Sequence, residues 1–213
     1  MHFEVHDVNS TYRWNDGAFD LVHARSVSMA VSDSTLQYTN TYLHVFLQVR
    51  DYPSILQEVA RVLRPGGLFV SCELGRYPAF DPSFRRVPSV DAPATDRFFT
   101  AISNALASRG GIQPMAHQIP AFIANSGYFV DITVEQRFIP IGVWPSDVES
   151  QNIGADYLRV CERYAESSKR LLLEAGWSGA TLERMIEDYI QEIRNVSGLV
   201  GVVHTVHARR ARV

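Results

Sequence analysis

Apolar residues recur along this chain with two periods, and the switching between them outlines alternating strands and helices. Residues 3–6 alternate apolar and polar and run into Asp7-Val8-Asn9-Ser10, the pattern of a short strand ending in a loop. After the turn signal Asn15-Asp16-Gly17, residues 19–24 (Phe-Asp-Leu-Val-His-Ala) predict a second strand, apolar enough to expect a central, buried position. Ile55, Leu56, Val59, Ala60, Val62 and Leu63 then fall at helical spacing and predict an amphipathic helix over 52–63. Arg61 and Arg64 complement its negative end, and Pro65-Gly66-Gly67 stops it before a strand over 68–74. Strand, helix and strand make a βαβ unit, so the two strands are expected to run parallel.

Beyond it, residues 75–94 hold four prolines and read as a long irregular loop. Thr95 is expected to cap a helix reaching Ser108, with Gly110-Gly111 after it. A short helix over 121–125 and a strand over 130–141 follow. Two long helices, over 147–174 and 181–195, flank Gly176-Trp177-Ser178-Gly179, and a strand over 199–207 closes the pattern. This order predicts an α/β sandwich, with no internal repeat and no low-complexity stretch.

Composition narrows the function. A net charge of −3 gives no basic field for a nucleic-acid backbone, although Arg209, Arg210 and Arg212 cluster at the end, where a solvated terminus is the plainer reading. No apolar run is long enough to span a bilayer, and residues 1–7 lack the basic and apolar regions of a secretory signal. Cys72 and Cys161 form no disulfide framework, which suits a reducing compartment; a cytoplasmic or nuclear home is expected. His204 and His207, three apart on a strand, point to opposite faces, and no HExxH, GxSxG or GxxxxGK[ST] pattern occurs, so no metal site, hydrolase elbow or phosphate loop is expected. Trp144, Trp177, Tyr157, Tyr164 and Tyr189 lie on or beside the late helices, as core or as substrate contacts.

Taken with Leu56-Gln57-Glu58-Val59-Ala60-Arg61-Val62-Leu63-Arg64-Pro65-Gly66-Gly67, the run Phe19-Asp20-Leu21-Val22-His23-Ala24-Arg25 resembles the strand 4, helix and strand 5 segment of class I S-adenosylmethionine-dependent methyltransferases. The likeness is greatest to the small-molecule and regulatory type of filamentous fungi. Residues 119–129 look like the short helix and turn before strand 6, and 201–209 like strand 7. The resemblance implies a partial Rossmann-like sheet, strands 3 to 7 with flanking helices, in one domain over 1–213, with S-adenosylmethionine across the strand ends. It also implies Asp7 and Val8 at the adenine, and His23 and Ala24 beside the methionine part and the transferred methyl. His23 would then be the candidate for orienting or deprotonating a small-molecule acceptor.

Two features depart from the family pattern. No GxGxG turn occurs anywhere in the chain, so strands 1 and 2 are expected to lie upstream of Met1. Without them the cofactor would be held poorly, and strand 19–24 would present an open apolar edge. A non-catalytic half-domain that pairs that edge with a protein partner or with itself is therefore the alternative function. The second departure is an insert over 31–48. It starts with Val-Ser, encodable by GTGAGT, and ends in Gln, encodable by CAG, as a translated intron would; a real loop or lid is the other reading.

Overall fold

The computed structural model describes residues 10–27, 52–108 and 115–212. The expected strand over 3–6, the insert over 31–48 and Gly110-Gly111 lie outside them. The described residues form β1 (Phe19–Arg25), α1 (Tyr52–Val62), β2 (Leu63–Leu74), β3 (Ala79–Phe80), α2 (Pro88–Asp91) and α3 (Pro93–Ser108). After a 3-10 turn at Ala116–Gln118 come α4 (Ile119–Asn125), β4 (Phe129–Pro140), α5 (Val148–Glu174), α6 (Gly179–Asn195) and β5 (Leu199–Arg210). The strands make one sheet in the order β1-β2-β5-β3, with β4 also paired to β5. The α/β class and the parallel β1–α1–β2 unit are those expected from the sequence.

Two compact units divide the described residues. The first lies within 1–74, 111–136 and 204–213, the second within 75–110 and 137–203.

In the first unit α1 turns Tyr52, Ile55, Leu56 and Val59 inward, against Phe69 of β2, Ile119 and Ile123 of α4, and Val206 and Ala208 of β5. Each of the fully buried Val, Leu, Ile and Phe side chains contributes about 1.5–3 kcal/mol. Strand β2 begins at Leu63, five residues before the predicted start. Phe19 pairs with Leu63 but Leu21 with Leu68, so Arg64-Pro65-Gly66-Gly67 is a bulge inside the ladder rather than a linker before it. Gly66 has a φ of +76°, and a Cβ on Gly67 would meet the Arg64 carbonyl oxygen at 2.8 Å. The terminal arginines serve this corner: Arg209 donates to Gly66 O at 3.1 Å, and Arg210 donates to the carbonyls of Arg61 and Leu63 at the end of α1. That is more than a solvated terminus, because cations here meet the negative helix end.

Strand β1 corrects one expectation. It stands at the end of the strand order among the described residues, with Leu21 53 % exposed. An apolar run of this length states that a strand forms, not which neighbours it finds.

The second unit packs α3, α5 and α6 against one another. Phe98 and Tyr189, both 0 % exposed, stack with ring centroids 4.2 Å apart. The Asp147 side chain accepts from Ser150 N at 2.8 Å to cap α5, which lowers the Asp147 pKa, and Gly176 at φ +94° ends that helix. Ser178 accepts from Thr181 N to cap α6. Thr95 does not cap α3. It lies within the first turn, buried, and the Glu192 carboxylate of α6 accepts from Ala94 N at 3.1 Å and Thr95 N at 2.6 Å in its place. Within the expected loop over 75–94 the chain forms β3 and α2.

Candidate functional site

At the carboxyl end of β1 the chain is built from both sides. His23, Ala24 and Arg25 lie opposite Val70, Ser71 and Cys72 in the parallel register. Alternation sends Val22 and Ala24 toward the core, where Val27 joins them, and leaves His23 and Arg25 exposed on the other face. His23 therefore presents its imidazole to solvent, whereas the Ala24 side chain packs against the core. Asp7 and Val8 lie outside the described residues.

Past Arg25 the ladder ends in a turn. Ser26 N donates to Cys72 O at 3.0 Å, and Ser26 takes a φ of 56°. That left-handed conformation is uncommon for a residue with a side chain. Val27 N then donates to the Glu73 carboxylate at 2.8 Å.

Glu73 is 1 % exposed, on the same face of β2 as the buried Phe69 and Ser71. Tyr52, the first residue of α1, is buried close by. Burial pushes its phenol pKa up and the Glu73 charge adds to the rise, so Tyr52 stays protonated. The Ser71 hydroxyl lies beside it but finds no partner in hydrogen-bonding geometry.

Arg61 of α1 fixes the approach to β1. Its guanidinium donates to both Glu58 oxygens at 3.0 and 2.9 Å, to the Tyr12 and Trp14 carbonyls at 2.7 and 2.8 Å, and to Asp16 at 2.8 Å. Glu58 in turn accepts from Tyr12 N at 2.8 Å. The pairing lowers the Glu58 pKa and raises that of Arg61, as a mutually supporting ion pair should.

Sequence reading named His23 and Ala24 as candidates and did not single out Ser26, Tyr52 or Glu73. A signal for Glu73 was present. Phe69, Ser71 and Glu73 fall on alternate positions of one strand, so the period that buries Phe69 also buries the acid.

Among the late aromatics, Tyr189 is core, and the Tyr157 side chain occupies the space a Cβ on Gly201 would need. The Trp144 indole donates to Leu199 O at 3.1 Å. Cys161 is pushed up to about 11 by burial, so it is a packed thiol rather than a nucleophile. Among the described residues no group of three or more His, Cys, Asp or Glu could hold a metal ion, and no helix is long and apolar enough to cross a membrane.

No protein-family model matches the sequence. The chain is similar to the secondary metabolism regulator laeA of Coprinopsis cinerea, 26 % identical over 199 residues, which cover 90 % of this chain and 44 % of the relative. Less than half of that relative's length is spanned. Solved structures similar in chain path include phosphoethanolamine N-methyltransferase 2 of Haemonchus contortus in complex with S-adenosyl-L-methionine, with a TM-score of 0.41 and 15 % identity over 94 % of this chain and 35 % of that one. Another is the YcgJ protein of Bacillus subtilis, with a TM-score of 0.43 and 12 % identity over 97 % and 69 % of the two chains. A third is geranyl diphosphate methyltransferase in complex with GPP and sinefungin, with a TM-score of 0.38 and 14 % identity over 94 % and 49 %.

Proposed function

We propose that this chain contributes the strand-end wall of a methyl-transfer site that uses S-adenosylmethionine and a small-molecule acceptor. The supporting observation is the similarity to the fungal regulator over 199 residues, which takes in the β1–α1–β2 unit. The turn at Ser26, ending β1 with His23 exposed beside it, suits the methionine end of such a cofactor. For the adenosine the chain offers less: Asp7 and Val8 are the candidates, and no glycine-rich turn of GxGxG form accompanies them.

S-adenosylmethionine supplies a methyl group already activated by the sulfonium, so the protein's task is alignment and exclusion of water. His23 would orient the acceptor and take its proton. Ala24 would line the wall through its backbone.

Calorimetric titration of the 213-residue chain with S-adenosylhomocysteine tests this. Saturable binding is expected, weaker than about 10 μM because the glycine-rich turn is lacking, and weaker again in Asp7→Ala and His23→Ala. A folded chain that does not bind even at about 1 mM ligand would overturn the reading.

A further inference from the structure

We infer that Glu73 is a positioning residue, whose carboxylate substitutes for the next acceptor of the β1–β2 ladder and so fixes the turn at the mouth of the site. The functional half of this inference rests on the reading proposed above. The structural half stands on its own geometry.

Two consecutive amides leave the end of β1 and both are received by neighbouring residues of β2. Ser26 N reaches the Cys72 carbonyl at 3.0 Å, a normal ladder bond. Val27 N reaches not a carbonyl but the side-chain oxygen of the following residue, Glu73, at 2.8 Å. Between them Ser26 sits at φ 56°, a conformation that persists only where its surroundings hold it. A carboxylate can follow the backbone out of the sheet, as a carbonyl in the strand cannot, and the left-handed step is what then turns the chain.

Burial makes the arrangement demanding. A carboxylate 1 % exposed needs strong acceptor bonds to remain charged, and a backbone N–H donating to it is such a bond. The protonated Tyr52 phenol nearby adds no second negative charge. Glu73 acts through Ser26 and Val27 and is assigned no contact with substrate or cofactor.

The experiment compares Glu73→Ala and Glu73→Gln with the parent 213-residue chain, reading Val27 amide exchange without ligand and then affinity for S-adenosylhomocysteine. Alanine should speed Val27 exchange about tenfold or more and weaken binding by a similar factor. Glutamine keeps an acceptor oxygen and should restore most of both. A glutamine variant as impaired as the alanine one, or an alanine variant with Val27 still protected, would overturn the assignment. So would loss of thermal stability in both variants with unchanged affinity of the folded protein, the mark of a purely structural carboxylate. Should alanine prevent folding, the glutamine variant decides alone. Protection that follows Glu73 in a parent chain that binds no S-adenosylhomocysteine would reject the methyl-transfer reading and keep the turn anchor.

Discussion

The two compact units share one polar device and surround it differently. In the first, ionic groups are directed at backbone: Glu73 holds Val27 N, Glu58 holds Tyr12 N, and Arg61 holds the Tyr12 and Trp14 carbonyls. In the second, the Glu192 carboxylate likewise holds Ala94 N and Thr95 N, but the interior beside it is an aromatic stack. Each unit also buries a neutral hydroxyl without a hydrogen-bond partner, Ser71 in the first and Thr95 in the second, which costs far less than an unpaired charge. The lesson is that a carboxylate can fix the end of an element in either unit, while the close stack of Phe98 on Tyr189 belongs to the second.

Mutations can break this comparison, beginning with the largest effect. Phe98→Ala removes the ring stacked on Tyr189 and is expected to cost about 3–5 kcal/mol in denaturant unfolding. A loss below about 1 kcal/mol would mean the stack does not organise the second unit.

Gly154→Ala should come next. Its Cβ would meet the Gly142 carbonyl oxygen at 2.0 Å, a backbone contact that no rotamer relieves. A cost of about 1–3 kcal/mol is expected from chemical denaturation; an unchanged midpoint would refute the close approach.

A smaller effect belongs to His204, buried in the first unit, whose pKa is lowered by burial and by the nearby charge of His117. A histidine depressed in the folded state binds its proton more readily when unfolded. Its contribution is therefore complete above the unfolded pKa, about 6.5, and is lost as pH falls below it toward the folded value. Melting temperatures from pH 8 to 5 should drop less steeply in His204→Gln than in the parent; equal slopes would exclude His204 as the cause.

Smallest of all is Leu21→Lys, at an exposed position of β1, expected to change stability by less than about 0.5 kcal/mol. A loss of 2 kcal/mol or more would reveal that something covers this face and would redraw the first unit.

What could be read from the sequence was what neighbours in sequence determine. The run of α5 and the amphipathic face of α1 follow from residues within a turn or two of each other. The Pro-Gly-Gly stretch was misplaced because the proline and glycines that stop a helix also build a bulge, and the pairing of Phe19 with Leu63 selects between them. The apolar run of β1 alone suggested a central strand; the lack of a GxGxG turn suggested an open edge, and β1 stands at the end of the strand order among the described residues. In the site, His23 and Ala24 came from resemblance alone. Glu73 needed the strand period to be applied to a charged residue as strictly as to an apolar one.

The Glu192 cap has a consequence for the order in which the protein is made. The carboxylate that receives the first amides of α3 comes 98 and 97 residues after Ala94 and Thr95. At about 5–20 residues per second, a ribosome delivers it roughly 5–20 s after the start of α3 has been synthesised. Through that interval the helix start must rely on water and on its own Pro93, and any premature stop before Glu192 would leave it there for good.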